Sequence, residues 1–168
     1  MPRFAVIFIL SLAAASLGAQ QSTPPKPAGQ SAADKTPRAY SGMYTFLKEG
    51  EFVQLTVEDD GSITGFVSRY GEGAGDKGAF LDQFFKTGKL DGDKLAFTTE
   101  IVRGVWFEFK GTIARGEGKN SGDEAYFVLK GTLTEDSTDA NKKVTSHSQE
   151  VIFKMFPQEA SSPPEPRK

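Results

Sequence analysis

FVQLTVEDDGSITGFVSRYG, residues 52–71, decides the fold. Val53, Leu55 and Val57 alternate with Gln54 and Thr56, the period-two signature of a strand with one buried face. Glu58-Asp59-Asp60-Gly61 breaks the pattern, and an Asp-Gly pair supplies the positive φ that a tight hairpin needs. A second run follows over 62–70. Two strands joined so closely are antiparallel. The same pattern repeats outward from this hairpin. Residues 40–47 form a candidate first strand, and 80–90 a fourth that ends at Asp91-Gly92-Asp93. Residues 95–102 put Leu95, Phe97, Thr99 and Ile101 on one face. Arg103-Gly104 turns into 105–113, where Val105, Phe107, Phe109 and Ile113 alternate with Trp106, Glu108 and Lys110. Residues 125–133 and 149–156 complete a set of eight. No segment keeps a helical period; 79–88 comes nearest and reads as well as a strand. Eight sequential hairpin-linked strands predict an all-β, antiparallel, up-and-down meander. Closing it into a barrel removes its exposed edges. An open sandwich or a partly flattened barrel is the alternative. An eight-stranded barrel holds either its own side chains or one small ligand.

The barrel domain is expected over 39–157. Before it, residues 1–19 carry Arg3, an apolar run over 4–12 and small residues over 13–19, the pattern of a secretory signal peptide cut after Ala19 or Gly18. Residues 20–38 and 158–168 are rich in Pro, Gln, Ser and Ala and read as a disordered linker and tail. The leader holds one of the 20 basic residues, so the remainder carries 19 against 22 acidic ones, a net charge of −3. That balance disfavours nucleic-acid partners and anionic membranes. Charged residues on the strands (Arg69, Lys86, Glu100, Glu108, Lys110, Lys130) break the apolar band that a membrane barrel needs. There are no cysteines, so an exported domain is held by its core alone. The expected location is secreted or periplasmic.

The D-G-S-I-T-G hairpin at 60–65, after the S-G-M-Y of 41–44, resembles the avidin and streptavidin family. FFKTGKLDG at 84–92 is similar to the family's fourth strand, and YFVLKGTLTEDSTDANKK at 126–143 to its seventh strand and following loop. The resemblance spans about residues 41–156 and implies an avidin-like barrel, of the same general kind as a lipocalin-like one. It does not carry the biotin contacts. Thr45 and Glu49 stand where the family has Asn and Ser, and Val67 and Arg69 where it has Tyr and Ser. Phe109 and Phe127 replace its tryptophans, and Ser148 its final-strand Asp. The connection after the third strand, YGEGAGDKG at 70–78, implies by the same resemblance a lid over the mouth, built on Gly71, Gly73, Gly75 and Gly78. Its literal G-x-G-x-x-G is no dinucleotide loop, because that chemistry needs a following helix whose N-terminus meets the pyrophosphate.

Other chemistry is sparse. His147 is the single histidine, and with no cysteine the usual zinc, haem and Cys–His sites cannot be assembled. The acids Asp59, Asp60, Asp91, Asp93, Asp123, Glu124, Glu135, Asp136 and Asp139 fall in expected turns, where carboxylates bond local backbone. No catalytic residue, metal site or cofactor is expected. The 14 phenylalanines have two readings: core filling, or a cavity lined for a small apolar molecule. On the second reading Thr45, Val67, Arg69, Phe84, Phe97, Phe107, Phe109 and Phe127 are the candidate ligand-binding residues. The alternative is a solid barrel that works as a structural or interaction module. A homo-oligomer is compatible with either.

Overall fold

The computed structural model describes residues 36–158. The expected leader, most of the linker and nearly all of the tail lie outside the described residues. A 3-10 helix at Pro37–Tyr40 leads into β1 (Gly42–Thr45), β2 (Phe52–Val57), β3 (Ile63–Tyr70), β4 (Phe80–Asp91), β5 (Lys94–Thr99), β6 (Val105–Arg115), β7 (Phe127–Thr138) and β8 (Val144–Lys154). Each strand pairs antiparallel with the next, in sequential order from β1 to β8. The fold is the expected up-and-down meander, and residues 80–88 belong to a strand. Thr36–Arg38, expected in the linker, belong to the start of the domain; Arg38 bonds Asp59 at 2.8 Å.

The 52–71 hairpin forms as its chemistry dictates. Gly61 adopts φ +79, and its N–H donates to Glu58 O at 3.0 Å. A Cβ there would sit 2.4 Å from Leu90 O, so only glycine fits. Alternation then sorts the side chains: Val53, Leu55, Val57, Ile63 and Val67 face a dry interior. From the other strands come Phe97, Phe107, Phe109, Leu129, Leu133 and Phe153. Phe97 stacks between Phe85 and Phe109, with centroids at 4.4 and 5.4 Å. Phe153 meets Phe109 and Phe46 at 5.8 and 5.2 Å. Each fully buried aromatic or aliphatic side chain contributes about 1.5–3 kcal/mol. These side chains and their ring contacts fill the middle of the barrel.

Tyr44 is fully buried and donates its hydroxyl to Tyr40 O at 2.7 Å, which ties the 3-10 helix to the core. Burial pushes its pKa far above the ordinary phenol value.

The sheet closes at one short seam. Tyr44 bridges Met155, Phe156 N–H donates to Met43 O at 2.8 Å, and Lys154 N–H donates to the Thr45 hydroxyl at 2.9 Å. Beyond that seam β1 has ended while β8 continues. The β7–β8 hairpin is longer than its sequence indicates, since β8 begins at Val144 and not 149. A ladder of polar side chains, not apolar alternation, carries the extra length: Thr132 to Glu150 at 2.6 Å, Thr134 with Ser148 at 2.9 Å, and Ser146 with Asp136.

Candidate functional site

The mouth of the barrel gathers the connections 46–51, 71–79, 100–104 and 139–143. The inward register of β3 places Val67 in the core and brings Arg69, two residues on, to the floor of this mouth. Arg69 is only 8% exposed. Its Nε donates to Gln83 Oε1 at 2.6 Å and its Nη1 to Tyr70 O at 3.3 Å. The guanidinium carbon lies 5.8 Å from the centre of the Phe107 ring. Gln83, fully buried on β4, is itself fixed by donating to Val105 O at 2.8 Å and Glu100 O at 3.2 Å. Among the described ion pairs none includes Arg69. A nearly buried cation whose hydrogen bonds go to neutral groups is a costly arrangement, and an anion placed beside it would lower that cost.

The neighbouring acids are otherwise engaged, with one exception. Glu51, 4% exposed, accepts Tyr70 N–H and Lys48 N–H, each at 3.1 Å, and so folds the 46–51 turn. Glu72 pairs with Lys48; that bond holds the Glu72 carboxyl below and the Lys48 ammonium above their usual ranges. Asp76 pairs with Arg103 at 3.3 Å, and its second oxygen is buried with no partner. The exception is Glu135 on β7, which takes part in no described ion pair and reaches the mouth from the opposite wall.

Residues 71–79 lie over this cluster as a hydrogen-bonded turn. Gly71 N–H donates to Ala79 O at 2.8 Å and Ala79 N–H to Asp76 O at 2.9 Å. A Cβ at Gly73 would sit 2.8 Å from Asp76 Oδ1, so this glycine admits the carboxylate of its own loop. No helix follows the glycines, and the phosphate-loop reading has no structural basis. Beneath the turn is a cavity of about 280 Å³, lined among others by Arg69, Asp76, Arg103, Val105 and Glu135. A second of about 100 Å³ shares Arg69, Glu72 and Glu135 with it and reaches Phe46 and Phe107.

The expected site residues divide sharply. Arg69 and Phe107 line the mouth, as do Gly73 and Gly75; Gly71 and Gly78 lie at the base of the same turn, joined by the Gly78 N–H to Gly71 O bond at 3.2 Å. Val67, Phe97 and Phe109 are buried in the solid core. Thr45 spends its hydroxyl on the seam. Phe127 lies at the other end of the barrel against Tyr40 and Tyr126, at 4.8 and 4.7 Å. Phe84 is on the outer face and 57% exposed, because it pairs with outward-facing Phe66. The apolar, Phe-lined cavity is thus replaced by a polar mouth above a filled interior. Gln83 and Glu51 went unnoticed in the sequence, because a polar residue in an alternating run reads as outward unless its register is fixed by a neighbour; Glu135, expected in a turn, lies instead on β7, which runs on to Thr138. His147 is exposed on β8, opposite Glu135 in the register. Among the described residues, no group of three or more His, Cys, Asp or Glu is placed to hold a metal.

No family model and no curated protein sequence matches the chain. Solved structures do. The crystal structure of rhizavidin is 12% identical, with a TM-score of 0.52, over 73% of this chain and 87% of that one. The rhizavidin–biotin complex is likewise 12% identical, with a TM-score of 0.53, over 73% of this chain and 97% of that one. The fold is an avidin-like eight-stranded barrel. Likeness at this identity defines the architecture and leaves the ligand to the residues of the mouth.

Proposed function

We propose that the chain is a non-catalytic binding protein whose ligand sits at the barrel mouth, between Arg69 and Glu135 and beneath residues 71–79. The observation that carries this reading is the nearly buried Arg69 guanidinium, unpaired and lining a cavity of about 280 Å³. The ligand is small and polar. It presents a carboxylate or similar planar anion to Arg69, which suits bidentate pairing, and a hydrogen-bond donor to Glu135. A large apolar guest has no room, because Phe97, Phe109 and Phe153 fill the space below. The rhizavidin–biotin complex supports ligand binding by this architecture. The signal-peptide pattern at 1–19 supports export of the chain. Thermal-shift screening of small carboxylates against wild type and Arg69→Met tests the site. A hit that stabilises only the wild type supports the reading; hits that stabilise both proteins equally remove it.

A second reading, an interaction module, draws on the outer face. Phe52, Phe66 and Phe84 form a continuous row across β2, β3 and β4, with centroids 5.8 and 5.5 Å apart, and Phe80 is 53% exposed beside Tyr70. Exposed aromatic rows of this kind mark contact surfaces. Lower surface hydrophobicity in Phe84→Ser with unchanged ligand hits would separate this face from the mouth.

A further inference from the structure

β8 offers an unfinished sheet edge. One side pairs with β7 without a break from Val128↔Lys154 to Thr138↔Val144. The other side meets β1 only at its end, through Tyr44↔Met155 and the Lys154 N–H bond to Thr45. Every residue from Val144 to Glu150 is exposed. Natural edges are usually blunted by Pro, a bulge or several charges. Over 144–152 there is no Pro and no bulge, and Glu150 is the single carboxylate, with no Lys or Arg.

The alternation of the ladder says which backbone groups are free. Met155 N–H points at β7, donating to Phe127 O, whereas Lys154 and Phe156 N–H point away toward β1. By the same alternation the N–H and C=O groups of Val144, Ser146, Ser148, Glu150 and Ile152 face the open edge. Their side chains share the outer face, and Val144 and Ile152 are 51% and 58% exposed.

We propose that this edge pairs with the same edge of a second copy, antiparallel about a two-fold axis at Ser148. That register sets Ser148 opposite Ser148, Ser146 opposite Glu150 and Val144 opposite Ile152. Each is a pair whose outward backbone groups exchange both bonds, giving roughly ten new hydrogen bonds. The two exposed apolar residues of the strand cover one another twice, and no like charges meet. A two-fold at Glu150 would instead oppose two carboxylates, and one between residues would oppose outward backbone groups with inward ones.

The chain has no cysteine, so single cysteines report the register cleanly. Under mild oxidation Ser148→Cys is expected to form a covalent dimer, Ser146→Cys not, and Ser146→Cys with Glu150→Cys again to do so. Sedimentation should show a dimer of the wild-type chain. Ser148→Pro should be a monomer, since it removes an N–H that β7 does not use. Should that variant fold poorly, Ser148→Lys places two ammonium groups opposite each other and should also be a monomer. A wild-type monomer at the highest soluble concentration overturns the proposal. So does a dimer that survives both substitutions, or cross-linking through Ser146→Cys in preference to Ser148→Cys.

Discussion

Gln83→Leu probes the floor of the mouth most sharply. Gln83 is fully buried and makes three bonds: it accepts from Arg69 Nε and donates to Val105 O and Glu100 O. Leucine fills nearly the same volume, so packing changes little. The two carbonyls each lose a neutral bond, about 1 kcal/mol apiece, and the guanidinium loses one that is charge-assisted, about 1.5–3 kcal/mol. The expected destabilisation is roughly 3–5 kcal/mol. Urea unfolding reads it directly: at a typical slope of about 1–3 kcal/mol/M, the midpoint falls by at least about 1 M with the slope unchanged. The Arg69→Met, Gln83→Leu double variant should cost less than the two single changes together, by about 1 kcal/mol or more. The guanidinium that the leucine strands in the single variant is then gone. A cost below about 1 kcal/mol for Gln83→Leu, or strict additivity in the double variant, would refute the claim that Gln83 holds a buried cation in place.

Three further outcomes follow from the same geometry. Gly65→Ala should cost at least about 3 kcal/mol by urea unfolding, because Gly65 adopts φ +149 and a Cβ would lie 1.9 Å from Gln54 O on the paired strand. Tyr44 has a folded pKa raised above its ordinary 10.0, so the unfolded chain gives up this proton first. Its contribution is whole below about pH 10 and is lost as pH rises beyond that; Tyr44→Phe should cost about 1 kcal/mol at neutral pH and flatten the alkaline loss. Residues 71–79 are clasped by the exposed pair Lys48–Glu72 and by the exposed Arg103 on the half-buried Asp76. Raising salt from about 0.05 to 0.5 M should therefore speed amide exchange across this turn and leave β6 and β7 unchanged.

The hairpin at 52–71 was legible because three apolar residues alternate without interruption and Asp60-Gly61 admits one turn type. β8 was half missed for the opposite reason. VTSHSQE has no apolar alternation, and its strand is held by hydroxyl and carboxylate partners on β7 that only the register reveals. Phe84 and Phe85 are adjacent aromatics on opposite faces of β4. Parity along that strand changes at the irregularity between Phe85 and Thr87, so counting back from Leu90 assigns the wrong one to the interior. Arg69 was named from its place in the avidin-like pattern, yet its partner Gln83 was not. A buried amide and a surface amide look alike in an alternating run. The same ambiguity hid Glu51, and Glu135 was read as a turn acid because β7 was expected to end at 133; together they turn what looked like an apolar pocket into a polar mouth.

On the function proposed above, an anion-bearing small molecule pairs with Arg69 at the barrel mouth. Native mass spectrometry of the chain, purified gently from the organism that makes it and set beside Arg69→Met produced in the same way, tests this most directly. The expected result is a small retained mass on the wild type that denaturation releases and the Arg69→Met chain lacks. A bare wild-type mass, or an identical adduct on both proteins, would contradict it.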